Sequence, residues 1–168
     1  MIFRALLSTL VLLTSTALSG CGDHDHEEHH GPAEEACEHT KEGPFQDVTA
    51  TAAADGAPSA TFEHTAVRIT LVAEGNDNTQ NVGYVTYQAD EAAEFAFFLS
   101  AEVPVEITDA NGAAVEIEES ADVAECGEVA KQHNADLEVG TYTLKIGPTT
   151  ETTVSLVVEE ASHEGEDH

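Results

Sequence analysis

Apolar and polar residues alternate along much of the chain between positions 65 and 158. Val67, Ile69 and Leu71 fall on one side of a predicted strand, with Arg68 and Thr70 on the other. Phe95, Phe97 and Leu99 repeat the pattern, as do Val103, Val105 and Ile107, then Tyr142, Leu144 and Ile146, and last Val154, Leu156 and Val158. A period of two sends successive side chains to opposite faces of a pleated strand, so each run predicts a strand with one face in a core. Weaker patterns predict further strands at 45–51, 82–88 and about 129–137. Asp109-Ala110-Asn111-Gly112 predicts a tight hairpin with Asn111 and Gly112 at positive φ. Its return strand points Val115 and Ile117 inward and Glu116 and Glu118 outward. Pro44, Pro58, Pro104 and Pro148 all fall at or near predicted strand edges or turns, where proline is tolerated. No stretch of ten or more residues carries a clear helical period, and only 121–133 is ambiguous. Eight or nine short strands separated by turn signals predict an all-β fold, an antiparallel β-sandwich over 45–160.

The flanks are different. Residues 22–44 hold almost no bulky apolar side chains and begin with the acidic, His-rich run Gly22-Asp23-His24-Asp25-His26-Glu27-Glu28-His29-His30. Such a segment buries too little apolar area to offset its ordering entropy, which predicts an unstructured acidic tether over 21–44. The tail 161–168 repeats the composition and is predicted to be loose as well. At the other end, Met1-Ile2-Phe3-Arg4 is basic and residues 5–18 are apolar. That run suits the apolar region of a secretory leader and is short of the roughly 20 residues of a spanning helix. An uncleaved anchor is the alternative.

The four residues that close the leader, Leu18-Ser19-Gly20-Cys21, resemble the lipobox of bacterial lipoproteins. The resemblance implies a signal peptide over 1–20, cleavage before Cys21, a diacylglycerol on its sulfur and an acyl group on the new amino terminus. It also implies a membrane partner, reached through the lipid on Cys21, and an extracytoplasmic position in the cell envelope. Gly22 resembles the residue that sends such proteins to the outer membrane by default.

Charge narrows the partners further. Five basic and 33 acidic residues among 168 give a formal net charge of −28. Such a surface repels phosphate backbones, which argues against nucleic acid, and it attracts cations. The 41% hydrophobic content still permits a core, and the absence of Trp leaves it to Val, Ile, Leu and Phe.

Three cysteines are present. With Cys21 lipidated, Cys37 and Cys126 remain, and two thiols in an oxidising compartment ordinarily pair. The competing reading is a metal centre: Cys37-Glu38-His39 offers sulfur and imidazole two residues apart, and Cys126 with His133 or His64 could complete a tetrahedral set. His24, His26, His29, His30 and His39 are the other candidate metal ligands. Neutral imidazoles bind borderline divalent ions such as Zn, Cu or Ni, and neighbouring carboxylates concentrate cations. The same run also reads as a charge-extended spacer. Isolated His64 and His133 read as surface or hydrogen-bonded residues, and the acidic loop 74–78 as an Asx-rich turn rather than a calcium loop.

Leu137-Glu138-Val139-Gly140-Thr141-Tyr142-Thr143-Leu144 resembles the entry to the penultimate strand of many sandwich modules, in which a Tyr hydroxyl bonds back to upstream backbone. With Asp109 to Gly112, it makes the region from about 83 to 159 similar to pre-peptidase C-terminal domains. That resemblance implies a module without catalysis. No nucleophile elbow, phosphate-binding glycine loop or His-Glu-x-x-His pair occurs. Two functions follow as expectations. The first is a non-enzymatic binding or structural lipoprotein that serves an unidentified envelope protein. The second is capture or buffering of divalent metal by the tether.

Overall fold

The computed structural model describes residues 31–161 apart from 63, 76 and 125, without the side chains of 77 and 78. Cys21, His24, His26, His29 and His30 therefore lie outside the described residues, as does the tail beyond Ala161. One helix, α1 (Pro32–Glu42), precedes eleven strands: β1 (Phe45–Thr49), β2 (Ala66–Thr70), β3 (Val72–Glu74), β4 (Asp77–Ala89), β5 (Ala93–Leu99), β6 (Val105–Thr108), β7 (Ala114–Val115), β8 (Glu119–Asp122), β9 (Lys131–Leu137), β10 (Gly140–Thr149) and β11 (Thr153–Glu160). They form two sheets, ordered β1-β2-β11-β5-β9-β8 and β3-β4-β10-β6-β7. All pairs are antiparallel except β1 with β2. The fold is the sandwich that the alternation predicts, with more strands than eight or nine because short edge segments also pair.

The core between the sheets is built from the inward sets. Val67, Ile69 and Leu71 face Val85, Ile107, Leu144 and Ile146, and Phe97, Leu99, Leu156 and Val158 fill the middle. Tyr87 makes edge-on contacts with Phe62, Phe95 and Phe97 at ring separations of 5.7, 5.7 and 5.9 Å, the geometry that aromatic quadrupoles favour. The Tyr142 hydroxyl donates to the Glu138 carbonyl at 2.9 Å. That bond ties the start of β10 to the turn before it.

Two turns show why the local chemistry matters. At the hairpin before β7 only Gly112 takes positive φ, at 81°, and Asn111 does not. The predicted turn with two positive-φ residues is thus corrected. The Asp109 carboxylate accepts from the Asn111 and Ala113 backbone N–H groups, each at 2.8 Å, and so supplies the closure. These bonds, Ala113 first, hold its pKa below the ordinary carboxylate value. In β10 the register shifts between Ile146 and Thr149, a bulge that accommodates Pro148. Gly147 sits there at φ 102°, where a Cβ would lie 2.6 Å from the Asn81 carbonyl oxygen. Only glycine fits that approach.

Further expectations are corrected. The return strand does not run on through Ile117: after two residues of β7 the chain leaves its sheet and enters β8 at the edge of the other one, leaving Ile117 half-buried. Residues 121–133 hold the end of β8, a turn and the start of β9, with no helix. The largest difference lies in the predicted tether, where residues 32–42 form α1. Pro32 opens the helix, Glu34 and Glu35 occupy its first turn, His39 and Lys41 its last, and Gly43 ends it at φ 81°. Those placements suit the backbone requirements and the dipole. Ala33, Ala36 and Cys37 form a narrow apolar stripe. It packs on the outer face of the six-stranded sheet, against Ala66, Ala96, Phe98 and Val157. Small side chains carry that docking, which is why the segment lacks the bulky periodicity of a sequence-visible helix. Ala161, the first residue of the predicted loose tail, is also buried, and its N–H donates to the Glu94 carbonyl.

Candidate functional site

β11 carries Val154, Leu156 and Val158 inward, so Val157 and Glu159 point outward toward α1. Glu159 is only 5% exposed. Taking a carboxylate that far from water is costly without compensating charge or hydrogen bonds. Two imidazoles approach it from separate elements. His39, on the last turn of α1, has Nε2 3.8 Å from Glu159 Oε1. His64, in the connection between β1 and β2, has Nδ1 3.5 Å from Oε2. His64 adopts φ 46°, a left-handed conformation in which histidine is commoner than most residues. Its ring lies 5.6 Å from that of His39, tilted by 57°. One ligand atom from each of the three residues lies within 4.8 Å of the other two.

The tautomer of His39 follows from its other nitrogen. Nδ1 lies 3.3 Å from the Gly43 carbonyl oxygen. A carbonyl only accepts, so Nδ1 carries the proton, and in the neutral ring the lone pair is on Nε2, toward Glu159. An outer partner that orients an imidazole in this way is the usual arrangement around a metal-binding histidine.

His64 and Glu159 also line a cleft of about 600 Å³. Glu35, Asp90, Glu91 and Glu160 contribute carboxylates to it, and no Lys or Arg lines it among the described residues. The cleft suits a cationic guest and disfavours an anionic one.

Cys37 and Cys126 are joined in a disulfide with Cα atoms 5.8 Å apart. Neither sulfur is then a thiolate, so the Cys–His metal set is not formed in this structure. The bridge instead ties α1 to the loop between β8 and β9, two residues before His39. Lys41 adds an ion pair with Glu128 of that loop at 3.4 Å, an exposed contact of small energetic weight.

His133 belongs to a different environment. It faces Phe97 across the β5–β9 pair and Ser120 across the β8–β9 pair. Its Nδ1 is 2.7 Å from the Ser120 hydroxyl oxygen, while Nε2 is buried with no partner in hydrogen-bond geometry among the described residues. Burial first, and the Lys131 charge second, lower its pKa; the Val103 backbone works weakly in the opposite sense. A lowered native pKa means that the unfolded chain takes the proton first. Stability from this group is present above the ordinary imidazole range and is lost as pH falls through it toward the native value. Urea denaturation at pH 7.5 and 5.5 is expected to show a larger loss for the wild type than for His133→Gln. Equal losses would show that burial of this imidazole is not felt.

Of the sequence-predicted ligands, the structure brings His39 to the cluster. His64 joins it, a residue the sequence offered as a partner of Cys126 in a thiolate set and otherwise read as a surface or hydrogen-bonded histidine, and the structure adds Glu159, which no motif marked. The one linear hint of Glu159 is a charge on the outer face of a strand whose previous outer residue, Val157, is apolar. No protein-family model matches the chain, and no curated protein matches it.

Proposed function

We propose that the protein is a lipid-anchored lipoprotein of the cell envelope whose sandwich is a non-enzymatic binding module for cations, held outside the cytoplasm on an acidic N-terminal spacer. The observation that carries this reading is the pairing of the cysteines. Cys37 and Cys126 bond to one another, which suits an oxidising compartment. The remaining cysteine, Cys21, is the one at the end of the lipobox. The acid-lined cleft, with no Lys or Arg among its described residues, supports a cationic ligand. The Tyr142–Glu138 bond supports kinship with the pre-peptidase C-terminal sandwiches, whose members are mostly non-catalytic. No helix among the described residues is long and apolar enough to cross a membrane; the attachment in this reading is the lipid on Cys21.

Intact-mass spectrometry of protein from the membrane fraction tests the anchor. The expected species begins at Cys21 and carries a diacylglycerol and an N-acyl group, and Cys21→Ala abolishes both. An unacylated, soluble wild type that retains residues 1–20 overturns the reading. A second reading, capture of Zn, Cu or Ni ions at the envelope, is favoured by the meeting of His39, His64 and Glu159.

A further inference from the structure

We infer that His39, His64 and Glu159 form a specific binding site on the folded domain for a divalent first-row ion of the zinc class, with an open coordination position on the side of the acidic cleft. The inference rests on the reading of the domain as a cation-binding module, and it is independent of the lipid anchor.

The donor set selects the ligand. Two imidazole nitrogens and a carboxylate suit Zn²⁺, Co²⁺, Ni²⁺ and Cu²⁺, and the lack of a thiolate or thioether leaves soft Cu(I) without its preferred partner. The spacing is compatible with it. Zinc binds nitrogen and oxygen at about 2.0–2.2 Å in a tetrahedron, which puts neighbouring donors roughly 3.3–3.5 Å apart. His64 Nδ1 lies 3.5 Å from Glu159 Oε2 and His39 Nε2 3.8 Å from Oε1, so each imidazole meets its own oxygen of the carboxylate, and the donors must draw together around an ion held by one of them. The widest gap within the set is no more than 4.8 Å, and the adjustable member is His64, whose side chain is 65% exposed. The other two are held: the Glu159 side chain is 4% exposed and that of His39 20%.

Three further features suit a bound ion. The Gly43 carbonyl holds the His39 proton on Nδ1 and leaves Nε2 toward the carboxylate, the orientation a ligand needs and one that an imidazolium donating to both oxygens shares. The site is reached from a cleft bearing four more carboxylates, which raise the local concentration of divalent cations. Three protein ligands leave a tetrahedral ion one position for water or for a donor from a guest in the cleft. The three ligands come from α1, the β1–β2 connection and β11, so a bound ion pins the helix to the sandwich and binding stabilises the fold by linkage.

The test separates this site from the His-rich spacer. Full-length mature protein, a variant with His24, His26, His29 and His30 all changed to Ala, and the single variants His39→Ala, His64→Ala and Glu159→Gln are titrated with Co²⁺, followed by visible absorption, and with Zn²⁺ in competition. Circular dichroism checks that each variant is folded. The spacer variant is expected to retain one ion with a tetrahedral Co²⁺ spectrum and a Zn²⁺-induced rise in melting temperature. The single variants are expected to weaken that site by more than the roughly 10–100-fold that loss of an outer partner costs. Binding lost in the spacer variant and unchanged in the single variants overturns the site while leaving cation capture by the spacer. No binding by any form overturns the site and the cation-module reading together, and the acylation measurement stands apart from both.

Discussion

Replacing both bridged cysteines, Cys37→Ser with Cys126→Ser, is expected to lower the free energy of unfolding by about 4–5 kcal/mol. The bridge closes a loop of 89 residues, and in the chain-entropy account a loop of that length is worth nearly as much as one of about 100 residues. The number is large against the 5–15 kcal/mol that typically separates folded from unfolded domains. It is more consequential here because the formal charge of −28 already opposes compaction. The loss should begin at α1. An eleven-residue helix is marginal by itself in water, and its buried contact is a stripe of small side chains, with Ala36 at its centre. Without the bridge those contacts must hold it unaided. Urea unfolding of the two proteins measures the total, and amide exchange across residues 36–41 reports the helix separately. A double variant within 1 kcal/mol of wild type would show that the docked stripe, not the bridge, holds α1. The same variant links stability to the proposed metal site, since undocking α1 removes His39 from His64 and Glu159.

Phe97→Ala is expected to cost 3–5 kcal/mol, the range for truncating a fully buried aromatic ring. Phe97 has no exposed surface and sits between the sheets, opposite Val158 on β11 and His133 on β9. It also supports Tyr87 edge-on at 5.9 Å. Its replacement leaves a void lined by strand residues that cannot move in without breaking their ladders, so little of the lost contact is recovered. Phe45→Ala provides the comparison. That ring is 45% exposed and covered by the Arg68 guanidinium 4.7 Å from its centre, so about 1 kcal/mol or less is expected. Denaturant midpoints of the two variants at constant m-value check the contrast. Similar losses at both sites would mean that the layer between the sheets is not the main source of stability.

Much of the fold was legible because strand alternation is a local code. Each inward residue of the strong runs, from Val67 and Ile69 to Leu156 and Val158, lies in the layer between the sheets. A two-residue period states which side chains share a face before any partner strand is known. The pairing of Cys37 with Cys126 was legible in the same sense, from the number of thiols and the implied compartment. What α1 does was not. Ala33, Ala36 and Cys37 are too small to stand out from an acidic background, and they become a packing face only where the six-stranded sheet offers Ala66, Ala96 and Val157 opposite them.

The sequence by itself thus determined the strongly alternating strands, their inward faces, the acidic surface and the pair of thiols available to bridge. These depend on residues a few positions apart or on counts over the whole chain. The tertiary structure alone decided that the outer face of one sheet is also covered, and that His39, His64 and Glu159 meet. The physical reason is that β11, through its pairing with β2 and β5, carries the outward Glu159 to the place where a helix from the other end of the domain docks. Contacts of that kind are created by closure of the sheet and have no periodicity along the chain.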